Sequence, residues 1–107
     1  MTAVLLSDPV LMNLRRRLTE IYGRRLARVV LYGSRARGDW NDESDSDVAV
    51  FLKVPPEWWR ELDRLAVVSN DILDETGAVF DLKPYHIHEW SDRTPLMGEI
   101  RREGIDL

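Results

Sequence analysis

The sequence predicts an α/β (α+β) domain in which a small mixed β-sheet is flanked by helices. Three observations support this prediction. Stretches with apolar residues at helical spacing alternate along the chain with β-branched or alternating apolar runs. The resulting order of helix, strand, turn, strand, helix, strand and helix is typical of a mixed sheet covered by helices. The 107 residues are 44% apolar and lack cysteine, which is enough for one core without disulfides, so we expect a single domain over residues 1–107.

The first predicted elements are a helix over 9–22 and a strand over 26–32. The motif Ser-Asp-Pro at 7–9 is a helix start signal, because the N–H that proline lacks has no helical partner in the first turn. The β-branched apolar run over 26–32 ends at Gly33 and is the best candidate for a central strand.

Two further strands and two further helices are predicted in the rest of the chain. Alternating residues predict a strand over 45–52, and Pro-Pro-Glu at 55–57 opens a long helix. A third strand over 78–83 follows a glycine, Pro84 marks an edge or a bend, and a final helix begins at Pro95. The predicted inward stripe of the long helix consists of Trp58, Leu62, Leu65, Ser69 and Ile72.

Charge is distributed unevenly along the chain. The formal net charge is −4, but residues 1–40 carry +5 and residues 41–107 carry −9. The lack of cysteine excludes disulfide frameworks, thiolate zinc sites and cysteine nucleophiles. No apolar run approaches the ~18 residues of a membrane span, and the N-terminus lacks the basic flank of a signal peptide. We therefore expect a cytoplasmic protein without membrane association.

A turn motif followed by paired acids is the most informative feature of the sequence. Gly33-Ser34 is followed by ten residues and then by Asp45-x-Asp47. Glycine lets the backbone turn sharply off the strand and lets a ligand approach closely. The Ser34 hydroxyl and the N–H groups after it form a cradle of the kind that binds phosphate oxygens.

The paired acids indicate a divalent cation. Asp45 and Asp47 lie two apart on a predicted strand, so their side chains project from one face and repel unless a cation lies between them. Oxygen ligands without His or Cys suit Mg²⁺ rather than zinc. Together with the phosphate cradle they predict a site for a nucleoside triphosphate and its Mg²⁺. The alternative is a solvated junction between loop and strand.

A third carboxylate is expected at such a site. Two metal ions at an in-line phosphoryl displacement need more anionic ligands, and the attacking hydroxyl must lose its proton. Asp81 is the candidate, because it interrupts an apolar strand where a carboxylate is costly without a cation. If the second and third strands are neighbours, Asp81 faces Asp45 and Asp47. Alternatively, it is a strand-edge residue that pairs with Lys83 or an arginine.

Arginines and aromatic residues leave further alternatives open. Arg35 and Arg37 follow the turn closely enough to neutralise a triphosphate, or they face solvent. Trp58 is predicted to pack in the core, whereas Trp59 and Trp90 are either exposed partner anchors or, as is more common, half-buried structural residues. The arginines at 15, 16, 17, 24, 25 and 28 form either a basic face for RNA or an acidic partner or, as we favour, a solvated helix face.

Two histidines follow the third predicted strand. His86 and His88 are able to share a face with Asp81, but they lack a third ligand with zinc spacing. We therefore favour a polar strand end over a metal site.

The pattern Gly33-Ser34-x10-Asp45-x-Asp47, with Asp81 on a later strand, resembles the nucleotidyltransferase superfamily typified by DNA polymerase beta. The runs GSRARG and SDSD are most similar to its minimal members, the MntA-type (MNT) antitoxins of HEPN/MNT toxin-antitoxin pairs, as is the ending TPLMGEIRREGIDL. The resemblance implies the polymerase-beta-like fold, with a mixed sheet flanked by helices. It implies that Gly33 and Ser34 hold the triphosphate, with Asp45, Asp47 and Asp81 as catalytic metal ligands.

The resemblance also implies a reaction and a partner. The expected activity is the Mg²⁺-dependent transfer of AMP from ATP to a hydroxyl, with two ions at the site. The expected acceptor is a tyrosine of a HEPN-type RNase toxin, which makes this chain the antitoxin. Two alternatives stay open: a non-catalytic antitoxin that inhibits its partner by occlusion, and nucleotidyl transfer to a small molecule or tRNA. Direct nucleic-acid binding is otherwise not expected.

Overall fold

A computed structural model of the protein describes residues 8–33 and 46–107. In chain order its elements are α1 (Pro9–Tyr22), β1 (Leu26–Tyr32), β2 (Ser46–Leu52), α2 (Trp58–Thr76), β3 (Phe80–His86), α3 (Pro95–Glu103) and β4 (Ile105–Asp106), with short 3-10 turns at 23–25 and 87–91. The mixture of helices and strands confirms the predicted fold class.

The four strands form one mixed sheet with the order β3-β2-β1-β4. β1 is antiparallel to both β2 and β4, whereas β2 and β3 are parallel. The last residue of β1 pairs with the second residue of β2, which in turn pairs with the second residue of β3. The end of β1 and the starts of β2 and β3 therefore meet at one end of the sheet.

One face of the sheet packs against α1 and α2. Alternation along β2 directs Val48, Val50 and Leu52 to this face, where they join the apolar stripes of both helices. The helical contributors are Leu11, Leu14, Leu18 and Tyr22 from α1 and Leu65, Val68 and Ile72 from α2. This side holds the larger of the two cores.

The opposite face is covered by α3 and the 3-10 turn at 87–91. Ala49 and Phe51 of β2 point to this side and pack with Met97 and Ile100 of α3. The Phe51 ring stacks on Tyr85 with centroids 5.5 Å apart and meets the edge of Trp90 at 5.4 Å. The second residues of β2 and β3 share this face.

Helix ends follow from local sequence. The Asp8 carboxylate accepts from the N–H groups of Val10 and Leu11, at 2.8 and 3.4 Å, and proline occupies the first turn of α1 as predicted. The Thr94 hydroxyl caps α3 in the same way. None of the described helices combines the length and the apolar character needed to cross a membrane.

The structure corrects the predicted inward stripe of α2. Trp58 is 48% exposed, and the buried position one turn along is occupied by Glu61, which is 4% exposed. Glu61 tolerates burial because it accepts a hydrogen bond from the Tyr22 hydroxyl at 3.2 Å and pairs with Arg64 at 3.2 Å. Tyr22 is far from Glu61 in sequence, and Arg64 lies on the flank of the helix. Periodicity alone therefore assigns the wrong residue to the core.

Element boundaries differ modestly from prediction. β3 runs to His86 rather than ending at residue 83, and Pro84 lies within it because β3 is an edge strand of the described sheet. Neither the two-residue β4 nor the 3-10 turn at 87–91 was predicted, since such short segments carry no periodic signal.

Candidate active site

Three polar side chains form a row across one end of the sheet. Tyr32 pairs in register with Asp47, and Asp47 pairs in register with Asp81. Side chains of register partners project to the same face, so these three lie side by side on the α3 face. Asp47 is partly buried and the Asp81 side chain is 47% exposed. Two of the predicted acids are therefore neighbours, as expected for adjacent second and third strands.

Gly33 lies against this row. Its φ is +81°, a conformation that residues with a Cβ rarely adopt, and it is buried. A Cβ placed on Gly33 would lie 2.7 Å from the Asp47 Oδ2 atom. The turn therefore depends on glycine twice, for its backbone conformation and for the close approach of the Asp47 carboxylate.

The charges of the acids affect the pKa values of two buried tyrosines on the same face. Burial raises the pKa of Tyr32, and the charges of Tyr85, Asp47 and Asp81 raise it further. Burial likewise raises the pKa of Tyr85, followed by the charges of Glu89, Asp81 and Asp47. Both rings therefore stay protonated beside the acidic row, in keeping with the strand register that places the two aspartates side by side. The sequence motifs did not identify either tyrosine as part of this site.

A lysine pairs with the outer acid of the row. Lys83 follows Asp81 by two residues on β3, and its Nζ atom lies 3.6 Å from the Asp81 Oδ2 atom. Both side chains are about half exposed. The pairing that was left open as an alternative role for Asp81 is therefore present, together with its place beside Asp47.

The donor set fits a hard divalent cation. Asp47 and Asp81 offer carboxylate oxygens on adjacent strands, and the missing Cβ of Gly33 leaves room for the Asp47 carboxylate. In the part of the chain that the structure describes, no group of three His, Cys, Asp or Glu side chains comes together. The third predicted ligand, Asp45, lies outside the described residues, as do the predicted phosphate-binding residues Ser34, Arg35 and Arg37.

The histidines lie away from this row. His86 is the last residue of β3 and pairs with Leu52, five residues beyond Asp81, or about 16 Å along the strand. Its Nε2 atom is 3.3 Å from the Lys53 carbonyl oxygen, and its ring contacts that of His88 with centroids 4.3 Å apart. The idea that these residues share a face with Asp81 is wrong, because the odd offset of five positions directs His86 to the opposite face and His88 lies in the 3-10 turn after the strand.

Several of the predicted basic residues have local partners. Arg17 contacts both carboxylate oxygens of Glu75 at 2.6 and 2.7 Å, which links α1 to α2. Arg28 pairs with Asp106 at 3.1 Å and lies over the ring of Trp90 at 4.0 Å. These two arginines therefore stabilise the fold locally.

The tryptophans at the start of α2 are at the other end of the sheet. Trp59 is 79% exposed, and together with Trp58 it lines an open cavity of about 550 Å³. α2 follows the last residue of β2, so this cavity is separated from Asp47 by the length of that strand. It is not part of the acidic row.

Comparison with known proteins assigns the chain to a family. The family model described as "Nucleotidyltransferase domain" matches residues 11–101. A chain from Methanocaldococcus jannaschii named as a protein adenylyltransferase is 38% identical over 98 residues, covering 92% of this chain and 95% of that protein.

Solved structures share the fold. A minimal nucleotidyltransferase superposes with a TM-score of 0.63 at 22% identity, covering 94% of each chain. The structure of a tri-AMPylated HEPN toxin from Shewanella oneidensis in complex with an MNT antitoxin gives a TM-score of 0.55 at 15% identity, covering 91% of this chain and 70% of that one. The matched region includes all three residues of the described site, Gly33, Asp47 and Asp81. The chain thus belongs to the nucleotidyltransferase domain family and is a nucleotidyltransferase enzyme.

Proposed function

We propose that this protein transfers AMP from ATP to a hydroxyl in a Mg²⁺-dependent reaction, and that the acceptor is a tyrosine of a HEPN-type toxin. One observation carries the proposal. Asp47 and Asp81 are register partners beside the open turn at Gly33, at one end of the sheet of a nucleotidyltransferase. The relative named as a protein adenylyltransferase supports a protein acceptor, and the AMPylated HEPN toxin bound to an MNT antitoxin supports the class of partner.

Each residue has a stated role in the proposed reaction. Gly33 and Ser34, with Arg35 and Arg37, bind the β- and γ-phosphates. Asp47 and Asp81, with Asp45 from the segment outside the described residues, hold two Mg²⁺ ions. When bound, the ions neutralise the developing charge on the attacking and leaving oxygens.

The proposed step is a nucleotidyl transfer in which one bond to phosphorus forms and one breaks. The acceptor oxygen forms a bond to the α-phosphorus, the bond from that phosphorus to the bridging oxygen breaks, and pyrophosphate leaves. Asp81 takes the proton of the acceptor hydroxyl, because it is the more exposed of the two described acids and is open to an incoming partner. Asp47, held beside Gly33, positions the α-phosphate end of the site.

The test is transfer of label from α-labelled ATP to the protein encoded by the neighbouring gene. We expect label on that protein only with Mg²⁺, and a loss on the order of 10²–10³-fold in both Asp47→Asn and Asp81→Asn, since each removes a charged ligand. Asp74→Asn is the matched control, because Asp74 is an exposed acid on α2 outside the row. Label that persists in both site variants contradicts the proposed catalytic role of these acids.

The same experiment decides among the other functions. A non-catalytic antitoxin neutralises its partner without ATP and equally well in both Asn variants. Transfer to a small molecule or tRNA places the label in those fractions and leaves the partner protein unlabelled.

A further inference from the structure

We infer that Lys83 is a built-in counter-ion of Asp81, whose ammonium occupies the carboxylate until a divalent cation displaces it. The inference rests on the proposed function, in which Asp81 is a metal ligand. It adds a positioning residue to the site, one that sets how readily a cation binds.

The position of Lys83 limits what else it can pair with. It lies two residues from Asp81 on the same face of β3, about 6.6 Å along the strand, and its register partner on β2 is Ala49. Ala49 brings no charge of its own to the ammonium. Its Nζ atom lies 3.6 Å from the Asp81 Oδ2 atom, and Asp47 lies beside this pair as the register partner of Asp81.

The pair has the character of an exchangeable contact. It joins one nitrogen to one oxygen at 3.6 Å, and each side chain is about half exposed. In contrast, Arg17 contacts both oxygens of Glu75 at 2.6 and 2.7 Å. The planar guanidinium of Arg17 reaches two acids at once, Glu75 through Nη2 and Asp71 through Nη1 at 3.5 Å, whereas a lysine is a compact charge on a flexible stem.

Lysine, rather than arginine, at position 83 is unusual for this chain. Arginine accounts for 13 of the 15 basic residues, and Lys53 and Lys83 are the only lysines. The ion pair that links α1 to α2 uses an arginine, whereas the ion pair at the acidic row uses a lysine. A lysine at this place keeps Asp81 neutralised and oriented without metal, yet it is released at little cost because exposed ion pairs contribute little to stability.

Displacement predicts a measurable effect on cation affinity. In Lys83→Met, a cation no longer competes with an ammonium, so we expect Mg²⁺ to bind about three- to tenfold more tightly at low salt. Lys83→Arg keeps the charge and should bind Mg²⁺ within about twofold of the wild type. The gain in Lys83→Met should shrink as ionic strength rises, because the charges are partly exposed.

The two lysines make a direct readout possible. Reductive methylation with ¹³C-formaldehyde labels Lys53, Lys83 and the terminal amine, and it preserves the positive charge. On titration with Mg²⁺ alone we expect the Lys83 methyl resonance to shift with saturation, while the Lys53 resonance stays in place. Lys53 is exposed after the last residue of β2, so it is the internal control. In Asp81→Asn the Lys83 resonance should start near its displaced position and not respond to Mg²⁺.

Backbone amide shifts of Gly33 and Asp47 separate failure of this inference from failure of the proposed function. If Mg²⁺ shifts these amides but leaves the Lys83 resonance in place, or if Lys83→Met does not tighten binding, the counter-ion role is overturned and the metal site stands. If Mg²⁺ shifts neither, both the metal site and the counter-ion role are contradicted.

Discussion

Replacing Gly33 with alanine should lower both the Tm and the rate of AMP transfer. The loss of rate should depend on the contact between Gly33 and Asp47. Gly33 has φ +81°, and an L-residue in this left-handed region costs roughly 1–2 kcal/mol. With an unfolding entropy of ~2.1 cal/mol/K per residue, a chain of 107 residues should lose about 4–9 °C in Tm.

The second effect is local to the site. The new Cβ would lie 2.7 Å from Asp47 Oδ2, whereas ordinary contacts begin at 3.4 Å, so the carboxylate must move by about 0.7 Å. A shift of this size in a group that holds reacting atoms costs on the order of 10²-fold in rate. We therefore expect Gly33→Ala to lose about 10–100-fold in AMP transfer when it is assayed well below its Tm.

Gly77→Ala is the matched control. Gly77 has φ +79° at the C-terminal end of α2, but a Cβ there meets nothing within 4 Å. It should show a similar fall in Tm by calorimetry and retain transfer activity within about twofold. Equal transfer rates in the two variants would refute the argument that Gly33 is required for the position of Asp47.

Three further predictions concern the fold. Burial raises the pKa of all three tyrosines above the ordinary value of about 10, so their contribution to stability is complete below pH 10 and is lost as the pH rises further. Tyrosinate absorbance at 295 nm should therefore appear together with loss of circular dichroism, and separate transitions would contradict this. Arg17→Ala should lower the free energy of unfolding by about 1 kcal/mol, with less effect in 1 M salt, because it removes a partly exposed link to Glu75; urea melts at two salt concentrations test this. On α2, Leu65→Ala should cost about 2–5 kcal/mol in urea melts and Trp59→Ser less than about 0.5, and similar losses would contradict the observed orientation of the helix.

Local signals made much of this fold predictable. The start of α1 follows from the side-chain cap at Asp8 and the proline after it, both of which act within a few residues. β1 is a β-branched run between two glycines, and its predicted range matches the structure. In these elements local preference and tertiary packing agree.

The points at which prediction from the sequence fell short have a common physical cause. The core position of Glu61 depends on the Tyr22 hydroxyl, 39 residues away, and hydrophobic spacing cannot register a polar pair that is satisfied only after folding. The exposure of Trp58 is the other side of the same error. Similarly, the pairing of β3 with β2 was only a condition in the sequence argument, because register depends on which strands meet.

The candidate site was predictable in part for a related reason. Motif spacing identified Gly33 and Asp47, an acid within an apolar strand identified Asp81, and their adjacency follows from the register of three strands. Tyr32 and Tyr85 carry no motif, and their place on the acidic face becomes evident only from the pairing. The roles of Ser34, Arg35, Arg37 and Asp45 stay predictions, since they lie outside the described residues.

In the part of the sheet that the structure describes, β3 is an edge strand, and this position affects how another protein can approach Asp81. An exposed strand edge offers unpaired N–H and C=O groups to which a foreign strand can add. On β3, however, Pro84 has no N–H to give, and it follows the charged pair of Asp81 and Lys83. These features oppose strand addition and self-association at the border where the acid is open to solvent. In the proposed reaction, the partner therefore presents its hydroxyl from a helix or a loop, and recognition depends on side chains rather than on backbone pairing.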